Sequence, residues 1–234
     1  MVSKIELPVE LYVIRCRSLG GLASGMNDQS NIEEIFPVSR ETMNRLAEFV
    51  ALFQKWSNAI NLAAPSTLPD IWRRHVADSL QLYALNPGPL KWLDLGSGGG
   101  FPGVITAILL KEAGGGAVDL VESNHKKAAF LRQALARTGS PGKVHTVRIE
   151  ALAGQFTGHD AISARALSSL DDLLRLTAPW LTQKTVGWFH KGRDYRREID
   201  DASRSWTFDL VEHQSQIDAD SVILQVSNVR PIKL

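Results

Sequence analysis

The chain is nearly without cysteine, with 1 in 234 residues, Cys16. A single thiol excludes an internal disulfide framework and a cysteine-rich zinc site. It fits a reducing compartment, and a cytoplasmic location is expected. No apolar run approaches the roughly 18 residues of a membrane helix, so no membrane partner is expected. The first 25 residues hold Lys4, Arg15 and Arg17 but no clean apolar stretch, and no signal peptide is read there. Excess charge is missing as well. The 26 Lys and Arg against 25 Asp and Glu leave +1, so overall charge names no partner and local clusters must decide. The histidines lack metal-ligand spacing, and no metal is expected. No internal repeat is visible.

What is present is 44% hydrophobic residues, enough for one large domain or one domain with a helical extension. Residues 1–30 mix short apolar pieces with Gly20-Gly21 and Ser24-Gly25 and read as a poorly ordered tail, with Met26 a possible second start. Residues 31–89 read as a helical extension. Ser39 is the expected N-cap of a helix running to about Ile60, with Met43, Leu46, Phe49, Val50, Phe53 and Trp56 at three- and four-residue steps. That period makes the aromatic residues core rather than base-stacking platforms. Asp70 is the expected cap of a second helix through Leu85, and Asn86-Pro87-Gly88-Pro89 reads as a linker.

From residue 90 the chain alternates strand and helix patterns. Strands are expected at 90–95, 117–121, 143–149, 159–163 and 185–189, and helices at 104–110, 124–137, 170–181 and 193–203. A hairpin of 208–214 and 222–226 closes the series. The alternation implies an α/β, doubly wound, mostly parallel sheet, to which the hairpin would add an antiparallel edge strand. Ligands of such sheets bind outside the carboxyl ends of the strands.

The chemistry concentrates in Asp94-Leu95-Gly96-Ser97-Gly98-Gly99-Gly100-Phe101-Pro102-Gly103. Strand, glycine turn and helix form a site for a nucleotide-like cofactor at a helix N-terminus. Gly98-x-Gly100-x-x-Gly103 also matches the dinucleotide pattern, which alone is weak. Asp94 would repel a pyrophosphate and suits a cationic amine and sulfonium, which points to S-adenosylmethionine. Glu122, after the next strand, can accept both ribose hydroxyl hydrogens of any adenosine cofactor.

With these residues in view, the chain resembles the class I methyltransferases, and more closely the bacterial small-subunit (16S) ribosomal RNA guanine-N-7 methyltransferases, the RsmG or GidB family. The likeness runs from about Arg40 to Lys191. Its most specific piece is the turn ending Phe101-Pro102-Gly103. Glu122-Ser123-Asn124-His125-Lys126-Lys127, Ser163-Ala164-Arg165-Ala166, Lys191-Gly192, Trp56 to Leu62 and Arg74 to Leu80 agree with it. Ala63, His190 and the alanine between Ser163 and Arg165 depart from the family pattern.

The resemblance implies a Rossmann-like methyltransferase domain over 90–234. It places Gly96, Phe101, Ile149, Glu150 and Arg165 on the cofactor, which with Asp94, Ser97 and Gly98 of the turn and Glu122 makes nine expected cofactor residues. It makes Asn61, His75 and Asp78 candidate pocket residues, with a surface hydrogen bond between His75 and Asp78 as the alternative. Arg165 could pair with the cofactor carboxylate or with RNA phosphate. RNA contact falls to Arg74, Lys126, Arg165, Lys191, Arg193 and Arg197, within basic clusters that would otherwise be solvated helix faces. The implied partner is small-subunit rRNA or the ribosomal subunit, met by a monomer. Guanine N-7 has a free lone pair and sheds no proton when methylated, so no catalytic acid or base is expected. Two alternatives stay open: a methyltransferase of a small molecule or protein, and a non-enzymatic dinucleotide-binding module.

Overall fold

A computed structural model describes residues 32, 36–88, 90–152, 155–181 and 184–232. The expected tail at 1–30, with Cys16 and Met26, lies outside them. Helix α1 (Arg40–Ser57) opens as its sequence demands, with the Ser39 hydroxyl accepting from the Thr42 amide at 3.2 Å. Its buried stripe is Met43, Leu46, Phe49, Val50 and Phe53. The second helical segment differs from expectation. Asp70 contributes its carbonyl, which accepts from the Arg74 amide at 2.8 Å, and gives no side-chain cap. A wide π-helical turn, Trp72–Ala77, then runs into α2 (Asp78–Leu85). Such turns are uncommon and often carry functional residues; this one carries Arg73, Arg74 and His75.

The remainder is β1 (Lys91–Leu95), α3 (Gly103–Glu112), β2 (Ala117–Val121), α4 (His125–Thr138), β3 (Gly142–His145), β4 (Ala161–Arg165), α5 (Leu170–Thr177), β5 (Val186–Lys191), α6 (Tyr195–Ala202), β6 (Trp206–Gln214) and β7 (Val222–Pro231). The seven strands form one sheet in the order β3-β2-β1-β4-β5-β7-β6. The first five are mutually parallel. The reversed strand is β7, which sits one place in from the edge, with β6 outside it. Burial explains the order: β7 begins with three consecutive buried residues, as an interior strand requires, while β6 alternates half-buried and exposed.

Strand order reverses between β1 and β4, so their carboxyl ends open a crevice. Neighbouring residues of β1 face different cores. Trp92 joins α1 to α4 on one face, with Phe49, Phe53, Ile105 and Phe130; Leu93 and Leu95 join α5 and α6 on the other, with Leu173, Leu174 and Ala202. The helical extension therefore shares one apolar core with α3 and α4. Phe49, Phe53 and Phe130 meet there with ring centroids 5.9–6.3 Å apart.

Candidate cofactor cavity

The turn after β1 needs its glycines for two different reasons. Gly96, Gly98 and Gly100 have φ of +67°, +48° and +85°, where a side chain is strained. Gly99 is needed by a neighbour: a Cβ there would lie 2.8 Å from the ring of Phe53 and 3.0 Å from the Leu62 carbonyl. Helix α1 and the segment after it thus press directly on the turn.

Glu122 holds the other side. Its carboxylate accepts from the Gly98 amide at 2.9 Å and from the Asn124 amide at 2.7 Å. Asn124 in turn caps α4, accepting from the Lys126 and Lys127 amides. The acid after β2 therefore locks the glycine turn to the start of the next helix.

Above this frame lies a cavity of about 920 Å³. Eight of the nine predicted cofactor residues line it: Gly96, Ser97, Gly98, Phe101, Glu122, Ile149, Glu150 and Arg165. Ile149 and Glu150 reach it from a 3₁₀ turn, Ile149–Leu152, because β3 ends four residues sooner than expected. Thr67, Arg148, Leu167 and Asp172 also line it and were not singled out from sequence, as does Lys127, which was expected only within a basic cluster. Lys127 alone carried a signal, one position beyond Lys126 in a quoted motif.

Asp94, the ninth, corrects the expectation. It is 1% exposed and lies under the turn, outside the cavity lining. Its Oδ1 accepts from the Ser163 hydroxyl at 2.6 Å, and a Cβ on Gly103 would fall 2.4 Å from Oδ2. Asp94 fastens β1 to β4 through Ser163, with its Oδ2 set against the first turn of α3. Burial pushes its carboxyl up to about 6, against the hydroxyls of Ser163 and Ser97 and the Gly103 amide.

A directed chain of hydrogen bonds crosses the cavity wall. Arg165, the last residue of β4, donates from Nη2 to His75 Nδ1 at 2.8 Å. A guanidinium only donates, so Nδ1 accepts and Nε2 carries the ring proton. Nε2 donates to Thr67 Oγ1 at 2.9 Å, and that hydroxyl donates to the Ala64 carbonyl at 2.8 Å. Burial and the adjacent Arg165 lower His75 to about 4, so the ring is neutral. It packs on Phe101 with centroids 5.0 Å apart.

Arg165 is spoken for in other directions too. Nη1 lies 3.2 Å from Asp78 Oδ2, and Nη2 also donates to the Arg74 carbonyl at 3.0 Å. The guanidinium braces β4 against the π-helical turn, while Arg165 also lines both cavities. His75 and Asp78 meet through Arg165, not directly. Asn61 is exposed and lines neither this cavity nor the next.

A second cavity, of about 500 Å³, adjoins the first and shares Thr67, His75, Arg165 and Ala166 with it. Asp78, Arg74 and Lys191 line it. Lys191 is 7% exposed, and its ammonium donates to the Ser168 carbonyl and to Glu198, both at 2.6 Å. That burial corrects its expected place on RNA. Arg193 pairs with Asp220 and Arg197 with Asp201 on the surface, and Lys126 is exposed on α4. The basic residues are thus dispersed; Arg74 on the second cavity and Lys127 on the first are without a side-chain hydrogen bond or ion pair among the described residues.

Comparison with known proteins agrees with this geometry. The family model described as GidB, rRNA small subunit methyltransferase G, matches residues 42–223. A ribosomal RNA small subunit methyltransferase G of Rhizobium meliloti (strain 1021) is 60% identical over 195 residues, covering 82% of this chain and 92% of the relative. Its counterpart from Rhizobium johnstonii is also 60% identical over 195 residues, covering 82% and 95%. Among solved structures, the ribosomal protein L11 methylase of Lactobacillus delbrueckii subsp. bulgaricus superposes with a TM-score of 0.51 at 19% identity, over 66% of this chain and 78% of that one. That likeness establishes the methyltransferase fold alone.

Proposed function

The chain belongs to the rRNA small subunit methyltransferase G family, and from that premise we propose that it moves the methyl group of S-adenosylmethionine to N-7 of a guanine in small-subunit ribosomal RNA. The observation that carries this is the cavity at the ends of β1, β2 and β4, built on a glycine turn with a carboxylate at the ribose position.

The residues fit the cofactor. Glu122 offers acceptor oxygens to a ribose, Gly96 and Gly98 expose backbone, and Phe101, Ile149 and Leu167 give apolar cover. When bound, the cofactor supplies an electrophilic methyl on a sulfonium. Glu150 offers an acceptor at the adenine end, as the resemblance implies. The residues around the cavity otherwise position and exclude water. Leu62, Ala63, Ala64 and Thr67 wall one side, and the neutral His75 holds that wall to β4 through Arg165. Guanine N-7 loses no proton as it attacks, so His75 need not act as a base. Both walls come from one chain, which supports action as a monomer. An rRNA substrate supports a cytoplasmic site of action. Among the described residues no helix is long and apolar enough to cross a membrane.

The test is transfer of labelled methyl groups to small ribosomal subunits, naked rRNA and total protein, with mapping of the product base. Label in rRNA as 7-methylguanosine is expected. Label confined to protein, or to a different position of the base, overturns the proposal.

A further inference from the structure

The second cavity holds a carboxylate that no other described residue uses. Asp70 is half-buried in its lining, and among the described residues its side chain has no hydrogen bond or ion pair. The other acids of that lining are occupied. Asp78 accepts from Gln81 at 2.6 Å and faces Arg165, and Asp218 accepts from the Asp220 amide at 3.0 Å. One helical turn beyond Asp70, on the same face, stands the free guanidinium of Arg74. An aspartate and an arginine at this spacing commonly pair with each other; these two do not. Asp70 and Arg74 thus set an acceptor and a cation on the lining of a cavity that adjoins the first, neither committed to a described side chain.

We infer that this cavity receives the target base and that Asp70 is its specificity-determining residue, accepting from the N1–H and N2–H₂ groups of guanine while Arg74 holds an adjoining phosphate. This rests on the methyl-transfer reading above. Guanine is the base that presents two neighbouring donors on its pairing edge. Adenine places a lone pair at N1, which a carboxylate repels, and uracil has one donor between two acceptors. N-7 lies across the purine from that edge. A base gripped by Asp70 therefore turns N-7 away from the carboxylate, and the geometry we assign points it at the wall shared with the first cavity, Thr67, His75, Arg165 and Ala166. The two cavities then divide the work: one holds the donor, the other selects the acceptor.

The test compares an rRNA transcript carrying the methylated guanine with one carrying inosine there. Inosine keeps N-7 and N1–H and lacks the N2 amino group. The native protein is expected to lose about 10-fold or more in kcat/KM on inosine, since a polar site discriminates against a missing hydrogen-bonding group. Asp70→Asn should lose at least as much on guanine and little further on inosine, with unchanged affinity for S-adenosylhomocysteine. Equal rates of the native protein on guanine and inosine overturn the inference, however the variant folds. So does an inosine penalty that persists in full in Asp70→Asn. Failure of the native protein to methylate any rRNA guanine overturns the functional reading itself. N-7 methylation with additive penalties overturns the role of Asp70 alone.

Discussion

His75 and Asp94 should pull stability in opposite directions over nearly the same pH range. His75 falls from 6.5 when free to about 4 in the fold. Between those values the unfolded chain binds a proton that the folded chain refuses, so this residue makes the fold more stable as pH rises. Asp94 climbs from 3.8 to about 6. In that window the folded chain keeps a proton that the unfolded chain has shed, so this residue makes the fold less stable as pH rises. At 1.36 kcal/mol per pH unit, each displacement amounts to about 3 kcal/mol. The two nearly cancel in the native protein, and single variants expose them. His75→Gln keeps an amide oxygen for Arg165 and an amide donor for Thr67. Its unfolding free energy relative to native should rise by about 3 kcal/mol as pH falls from 6.5 to 4. Asp94→Asn keeps an acceptor for Ser163, and its difference from native should rise by a similar amount as pH goes from 4 to 6.5. Urea unfolding at half-unit pH steps, with a constant m-value, measures both. Differences that are flat with pH, or that slope the same way, would refute the assignment of either buried group.

Gly103→Ala would set a methyl 2.4 Å from Asp94 Oδ2 and 2.6 Å from Leu120, both buried in packed surroundings. Overpacking of about 1–3 kcal/mol should outweigh the helix-propensity gain of about 1 kcal/mol. Calorimetry should show a lower Tm and weaker S-adenosylhomocysteine binding. Gly192→Ala has open space around it and should melt like the native protein; equal melting of the two variants would discredit the packing argument. Glu122→Gln leaves one acceptor for the Gly98 and Asn124 amides and the ribose together. Titration should show cofactor affinity falling by 10-fold or more, and an unchanged Kd would remove Glu122 from the cofactor's contacts.

The sequence was most legible where one local rule sufficed. The glycine turn, the strand at 117–121, the Ser39 cap and the closing hairpin all stand as expected. It was least legible where a partner decides. Residues 143–149 have a strand's composition, but β2 stops at Val121, which pairs with His145, and nothing remains to pair with 146–149. Residues 159–163 read as a strand, yet His159 is drawn off to Asp119 at 2.9 Å and β4 starts two residues later. Asp94 was visible as an acid but not as one facing α3, because its neighbours Leu93 and Leu95 face the opposite core. No local signal marks the π-helical turn, and that turn brings Arg74 and His75 to the site. Eight of the nine residues expected on the cofactor converge because the motifs carry most of them; Asn61, expected in the pocket, stays outside it, because motif membership says nothing about which way a loop residue turns.

The contact of Phe53 and the Leu62 carbonyl with Gly99 has an architectural consequence. The segment that precedes the nucleotide-binding half is no detachable appendage. Shorten the protein to its Rossmann-like half and the donor's chamber loses an entire side, becoming a ledge washed by bulk solvent. Changes far upstream in the first helix should then masquerade as defects in donor binding, with every donor-contacting side chain still in place.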